Sequence, residues 1–162
     1  MAGSTSNFLQ IIRSPLRLKL FFLKHLPMAL IAGLRVPNAN DEQASVSVSL
    51  NYLTKNPFRS IYFACLAMAA ELSTGILAMN AIEQTGHKFS VLVVELKAEF
   101  TKKAVGKITF QSNDGAAMIS TVEGCLQNNE AGKVAATSIG KNEAGEVVAE
   151  FKIRWSFKPK QF

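Results

Sequence analysis

Glu71 is the residue whose surroundings fit its chemistry least, which makes it the first candidate for function. It is the one charge in the run 61–82, Ile-Tyr-Phe-Ala-Cys-Leu-Ala-Met-Ala-Ala-Glu-Leu-Ser-Thr-Gly-Ile-Leu-Ala-Met-Asn-Ala-Ile. An isolated carboxylate among apolar neighbours is costly unless a partner or a function accounts for it. With Met68, Leu72 and Gly75 close by in sequence, desolvation is expected to raise its pKa toward neutrality, which suits a general base. The alternative is structural: Glu71 pairs with Arg59 or a lysine across a subunit interface, or is protonated and hydrogen-bonded. Asn56 is the second candidate. It lies in Lys55-Asn56-Pro57-Phe58-Arg59, where an asparagine before proline can equally be a turn residue. A helix beginning just after this loop presents unpaired first-turn N–H groups at the positive end of its macrodipole. A donor of that kind, aimed at a developing oxyanion, can supply roughly 3 kcal/mol.

Other chemistries find little support. Cys65 and Cys125 are too few for a disulfide framework and form no Cys-x-x-Cys pair. Cys65 reads as a small core residue, and a reducing, cytoplasmic setting follows. His25 and His87 are far apart, so a histidine metal site is not expected. The net charge is +6. Arg13, Arg17, Lys19, Lys24 and Arg35 all precede the first acid, Asp41, so nearly all of the excess lies in the first forty residues. The rest is close to neutral and lacks a nucleic-acid motif, so no nucleic-acid partner is expected.

These residues must be positioned by a fold. At 162 residues, 48% hydrophobic and 19% charged, the chain suits one globular domain. Residues 1–27 read as an amphipathic helix, with Leu9, Ile12, Leu16, Leu20 and Leu23 at helical spacing and a break or kink at Pro15. This helix either packs on its own domain or attaches weakly to an anionic membrane surface. Residues 28–162 form the main domain, starting with a strand over 28–36. A half-buried strand follows, in which Val46, Val48 and Leu50 alternate with polar residues.

The run 61–82 is apolar all round, so as a helix it must be buried all round. Ser60 is its expected cap. Its length also admits a membrane span, but an acid at its centre counts against that. The strand expected over 89–101 carries Leu92, Val94, Leu96, Ala98 and Phe100 on one face. Its other face begins apolar with Phe89, Val91 and Val93 and ends charged, which suggests contact with a partner. A strand over 105–110 and a short helix over Gly115–Asn128, capped by Asp114, come next. A hairpin of strands 134–139 and 147–157 then closes the chain. The expected class is α+β: a curved antiparallel sheet wrapped around one long apolar helix, with an extra N-terminal helix. A single sheet cannot enclose such a helix, so the N-terminal helix or a second subunit must cover the rest.

That architecture is the hotdog fold. Over about residues 28–158 the chain resembles the acyl-CoA thioesterases of the phenylacetate-pathway type and their uncharacterised hotdog relatives. In that branch an asparagine opens the loop, His-Gly-Gly starts the central helix, and an acid lies about two turns on. Asn56 and Glu71 stand in the first and last places, while Tyr62, Phe63 and Ala64 replace His-Gly-Gly. The resemblance implies Glu71 as base or nucleophile, Asn56 as the residue positioning water, and the N–H of Phe63 or Ala64 as oxyanion donor; Tyr62 itself reads as a pocket wall, with a proton donor as the alternative. It implies an acyl-CoA or other acyl thioester as substrate and a homodimer, which can pair further into a tetramer. Coenzyme A belongs to the substrate, and no cofactor or metal is required. The competing reading is a non-catalytic acyl- or lipid-binding hotdog protein. A dehydratase or isomerase is disfavoured, because its histidine has no counterpart near the helix in the sequence.

Overall fold

The computed structural model describes residues 6–160; the first five residues of the expected N-terminal helix lie outside it. Three short helices lead: α1 (Asn7–Arg13), α2 (Pro15–His25) and α3 (Pro27–Ile31). Strands β1 (Arg35–Ala39) and β2 (Ala44–Ser49) precede the long helix α4 (Phe63–Thr85). Then come β3 (Phe89–Phe100), β4 (Lys107–Ser112), helix α5 (Gly115–Asn128), β5 (Gly132–Lys141) and β6 (Val147–Pro159). All strand pairs are antiparallel, in the order β1-β2-β4-β5-β6-β3. This is the hotdog arrangement: the sheet curves around α4, with β1 and β3 at its edges.

Three differences from the sequence reading have identifiable causes. Residues 28–31 are helical, because Pro27 sits at the first helical position, where its fixed φ and missing N–H are tolerated. Gly33 then turns the chain at φ 70°, and β1 starts only at Arg35. The long helix is capped by Tyr62, which makes no side-chain cap bond; Ser60 bonds to Asn56 instead. The third difference is in β3. Val93 pairs with Trp155 and Glu95 with Arg154, so Val94 is the extra residue of a β-bulge. The bulge moves Leu96, Ala98 and Phe100 onto the face that carries Phe89, Val91 and Val93. The apparent two-sided apolarity of a straight strand becomes one apolar, helix-side face and one largely polar outer face. On the outer face Glu95 accepts from Arg154 at 2.7 Å.

The core lies between α4 and the concave side of the sheet. Val46, Val48, Ile108, Phe110, Phe151, Ile153 and Phe157 fill it from the strands, and Leu66, Ile76 and Leu77 from α4. Helix α4 has the length and hydropathy of a membrane span, but most of it is buried within its own domain. Helix α5 lies against α4, β5 and β6, burying Met118, Val122 and Cys125. Gly115 opens α5 pressed against the backbone of Asp41 and Glu42, a contact with no room for a Cβ.

Pro15 separates α1 from α2 as the sequence suggests. Phe8, Leu9, Ile12, Leu18 and Phe22 pack inward from this N-terminal layer. Polar ties fix it to the second half of α4. Both Glu83 carboxylate oxygens accept from Phe8 N–H, at 3.1 and 2.9 Å, and Ser6 donates to Asn80 Oδ1 at 2.7 Å. Leu16, Leu20 and Leu23, read in the sequence as one stripe with Leu9 and Ile12, point to solvent while Leu9 and Ile12 are buried.

Candidate functional site

Helix α4 is held in register by two buried polar contacts beside Glu71. The Trp155 indole N–H donates to Thr74 Oγ1 at 3.0 Å, and the Thr74 hydroxyl donates to the Glu71 carbonyl at 2.9 Å. At the preceding residue, the Ser73 hydroxyl donates to Ala70 O at 2.8 Å and lies 2.8 Å from the Ser138 hydroxyl of β5. Small hydroxyl residues in an apolar helix thus cross-link it to two strands. The turn carrying Glu71 cannot slide along the sheet without leaving buried polar groups unpaired, at about 1–3 kcal/mol each.

The Glu71 carboxylate lies over Gly75. Its Oε1 is 3.6 Å from where a Cβ on Gly75 would stand, and that position is 3.5 Å from the Trp155 ring edge. Among the described residues of this chain it has no hydrogen-bond or ion-pair partner. Burial pushes its pKa up from the ordinary carboxylate value. Glu71 lines a cavity of about 230 Å³ with His25, Leu26, Pro27, Met28, Ala29, Leu34, Met68 and Leu72. His25 is therefore near the acid despite its distance in sequence. Its ring packs on Phe21, centroids 4.9 Å apart, and makes no bond to Glu71.

Asn56 is committed to its loop. Its Oδ1 accepts from Phe58 N–H at 2.9 Å and from Ser60 N–H at 3.2 Å, and its Nδ2 reaches Ser60 Oγ at 3.1 Å. This asparagine-centred turn lets Arg59 adopt φ 61° and sets the direction in which α4 begins. With Tyr62 and Phe63 it lines a second cavity of about 290 Å³, which Phe58, Phe100, Lys102 and Lys103 also border. The Tyr62 and Phe63 rings meet edge to face, centroids 4.9 Å apart. Bonding within α4 begins with Cys65 N–H donating to Tyr62 O. The N–H groups of Phe63 and Ala64 have no partner among the described residues.

The structure thus gathers Asn56, Tyr62 and Phe63 around one cavity and places Glu71 at another. Phe63 and Glu71 are eight residues apart on α4, about 12 Å along its axis. The carboxylate also leans toward Gly75, away from the helix start. The Trp155–Thr74 and Ser73–Ser138 contacts had no signal in the sequence beyond hydroxyls inside an apolar run. The contribution of His25, Leu26 and Met28 to the acid's cavity had none. Cys65 and Cys125 are buried and unbridged, and no cluster of metal-ligating side chains occurs among the described residues.

Comparisons with known proteins agree with this architecture. A Pseudomonas aeruginosa protein of unknown function, described as a probable thioesterase, superposes with a TM-score of 0.77 at 21% identity, covering 91% of this chain and 97% of that one. A Chlorobaculum tepidum protein of unknown function gives a TM-score of 0.77 at 14% identity, covering 89% of this chain and 93% of that one. A thioesterase from Haemophilus influenzae gives 0.61 at 11% identity, covering 86% and 88%. At these identities the likeness establishes the fold. No curated protein sequence matches the chain. The family model described as Domain of unknown function (DUF4442) matches residues 16–157, and the chain, a hotdog domain clasping a single acid-bearing helix, belongs to that family.

Proposed function

We propose that this protein hydrolyses an acyl thioester, with acyl-CoA as the reference substrate and Glu71 as the general base. The observation that carries the reading is Glu71 itself: unpaired among the described residues, desolvated and lining a cavity from the apolar middle of α4. A carboxylate held in that state has its basicity raised and its acceptor oxygens free, as a base for water requires. Glu71 takes a proton from water as the water oxygen bonds to the thioester carbonyl carbon. The resulting oxyanion is held by the free Phe63 and Ala64 N–H groups. Collapse breaks the C–S bond, and the thiolate leaves with the proton that Glu71 had taken. The thioesterase names among the similar folds support the substrate class.

The same reading calls for a homodimer. Base and oxyanion donor of one chain lie too far apart to act on one carbonyl, so a partner's α4 start must face Glu71. Edge strand β3 is suited to that pairing. Its helix-side residues Val91, Leu96 and Phe100 are 39, 45 and 50% exposed, although they continue the core face of β6. Buried, unbridged thiols fit a reducing, cytoplasmic setting.

The test is a panel of short-, medium-, long-chain and aromatic acyl-CoAs, with thiol release as the readout. Turnover that depends on Glu71 supports the proposal. Absence of turnover across the panel refutes it; native mass spectrometry then asks whether the protein carries a bound acyl group instead. That second reading has its own support in the aromatic pair Tyr62–Phe63, which stands where the thioesterases that the sequence resembles carry His-Gly.

A further inference from the structure

The N-terminal layer has a second apolar face that the fold leaves uncovered. On α2, Leu18 and Phe22 point into the core, while Leu16, Leu20 and Leu23 form a stripe on the opposite side. Their spacing of four and then three residues aligns them along the helix. They are 70, 58 and 63% exposed. On α3, Met28 and Ile31 extend the apolar surface at 59 and 52% exposure. A surface helix normally hides its leucines, so a triple leucine stripe in water calls for an occupant.

The charge around the stripe identifies that occupant. At about 100° per residue, Arg17 and Lys24 lie along one flank of the stripe and Lys19 along the other. All three are exposed, and no acidic residue occurs before Asp41. Apolar ridge and cationic shoulders together match a helix lying in the plane of a bilayer, leucines among the acyl chains and cations among anionic headgroups. Cations alone would fit many anionic partners, and leucines alone would fit another protein. The combination, on a layer of net positive charge, fits an anionic lipid surface. Leu26 and Met28 also line the cavity that holds Glu71, so a docked face would set that cavity beside the headgroups.

We propose that the outer face of α2 and α3 docks this protein onto the surface of an anionic phospholipid bilayer. The docking is independent of thioester chemistry and is read without turnover.

The experiment is co-sedimentation of the full chain with vesicles of phosphatidylcholine, and of phosphatidylcholine containing phosphatidylglycerol. Binding is expected to the anionic vesicles only and to fall as salt rises, because headgroup attraction is screened. Arg17→Gln with Lys24→Gln removes two cations and should weaken partitioning roughly 30-fold. Leu20→Glu with Leu23→Glu should abolish it. All four positions are exposed, so melting temperatures should stay at the parental value, confirming that the variants fold. Failure of the parent to bind, equal binding to both vesicle types, or unchanged binding by the leucine variant overturns the proposal. So does a parental oligomer that loses a subunit in the leucine variant, since a second copy would then own the stripe.

Discussion

Replacing Glu71 by glutamine should lower activity and raise stability together. The side chain keeps its size and loses only its charge. If Glu71 is the general base, turnover should fall by about 10²- to 10⁴-fold, or about 3–5 kcal/mol of barrier, with KM little changed. The stability effect follows from desolvation. Burial raises the folded-state pKa of Glu71 above its unfolded value, so folding favours the protonated acid. Below the ordinary carboxylate range both states hold the proton and there is no penalty. As pH rises through the folded pKa the native state must carry an unpaired carboxylate, and stability is lost.

Glutamine removes that loss. Glutamine is itself polar, so what it removes is the extra cost of burying a charge, about 1 kcal/mol for a carboxylate that still borders a cavity. E71Q should therefore be about 1 kcal/mol more stable than the parent at pH 7, about 2–4 °C in Tm for a domain of this size. The advantage should vanish in acid. Thermal melts from pH 4 to 8 and thiol-release kinetics measure the two effects. Parental turnover in E71Q would exclude Glu71 as base. A variant less stable than the parent at pH 7 would mean that the acid is paired, contradicting the desolvation reasoning.

Further outcomes follow from neighbouring residues. Thr74→Val leaves the buried Trp155 indole N–H without its acceptor and should cost about 1–3 kcal/mol, measured by urea unfolding. Because Thr74 also bonds the Glu71 carbonyl, kcat should fall more than KM changes. Asn56→Ala strips acceptors from Phe58 and Ser60 N–H, so stability and activity should drop together, by about 1–3 kcal/mol in the former. Lost activity with unchanged stability would mark Asn56 as a water-positioning residue. Leu96→Lys puts a charge on the exposed helix-side face of edge strand β3 and should convert a dimer to monomer in light scattering, with turnover lost as well. A dimer of unchanged mass would move the interface elsewhere.

Much of the fold was readable because its signals are local. An all-round apolar run of this length has to be a buried helix, and the strict alternation of Ala149, Phe151, Ile153, Trp155 and Phe157 has to be a strand with one face in the core. Where the reading failed, the deciding contact was either a single backbone device or a distant packing partner. Pro27 made a helix from an apolar stretch that also suited a strand. The bulge at Val94 reversed which residues of β3 face the helix, and no periodicity count reveals a bulge. On α2 two apolar stripes competed for the core, and only the packing of the N-terminal layer showed that Leu18 and Phe22 are the ones buried.

The candidate site divides in the same way. The sequence alone singled out Glu71, because a lone charge in a run of twenty-two largely apolar residues is anomalous whatever the fold. It placed Asn56, Tyr62, Phe63 and Ala64 at the helix entrance by adjacency. Tertiary structure decided what each can do. It spent the Asn56 side chain on its own loop, left the Phe63 and Ala64 N–H groups open, and brought His25 and Met28 to the acid's cavity from more than forty residues away. It also clamped the acid's turn through Trp155 and Thr74. Composition and spacing determine which groups are costly to bury; only the folded chain determines which of those costs are met by a partner and which remain available for chemistry.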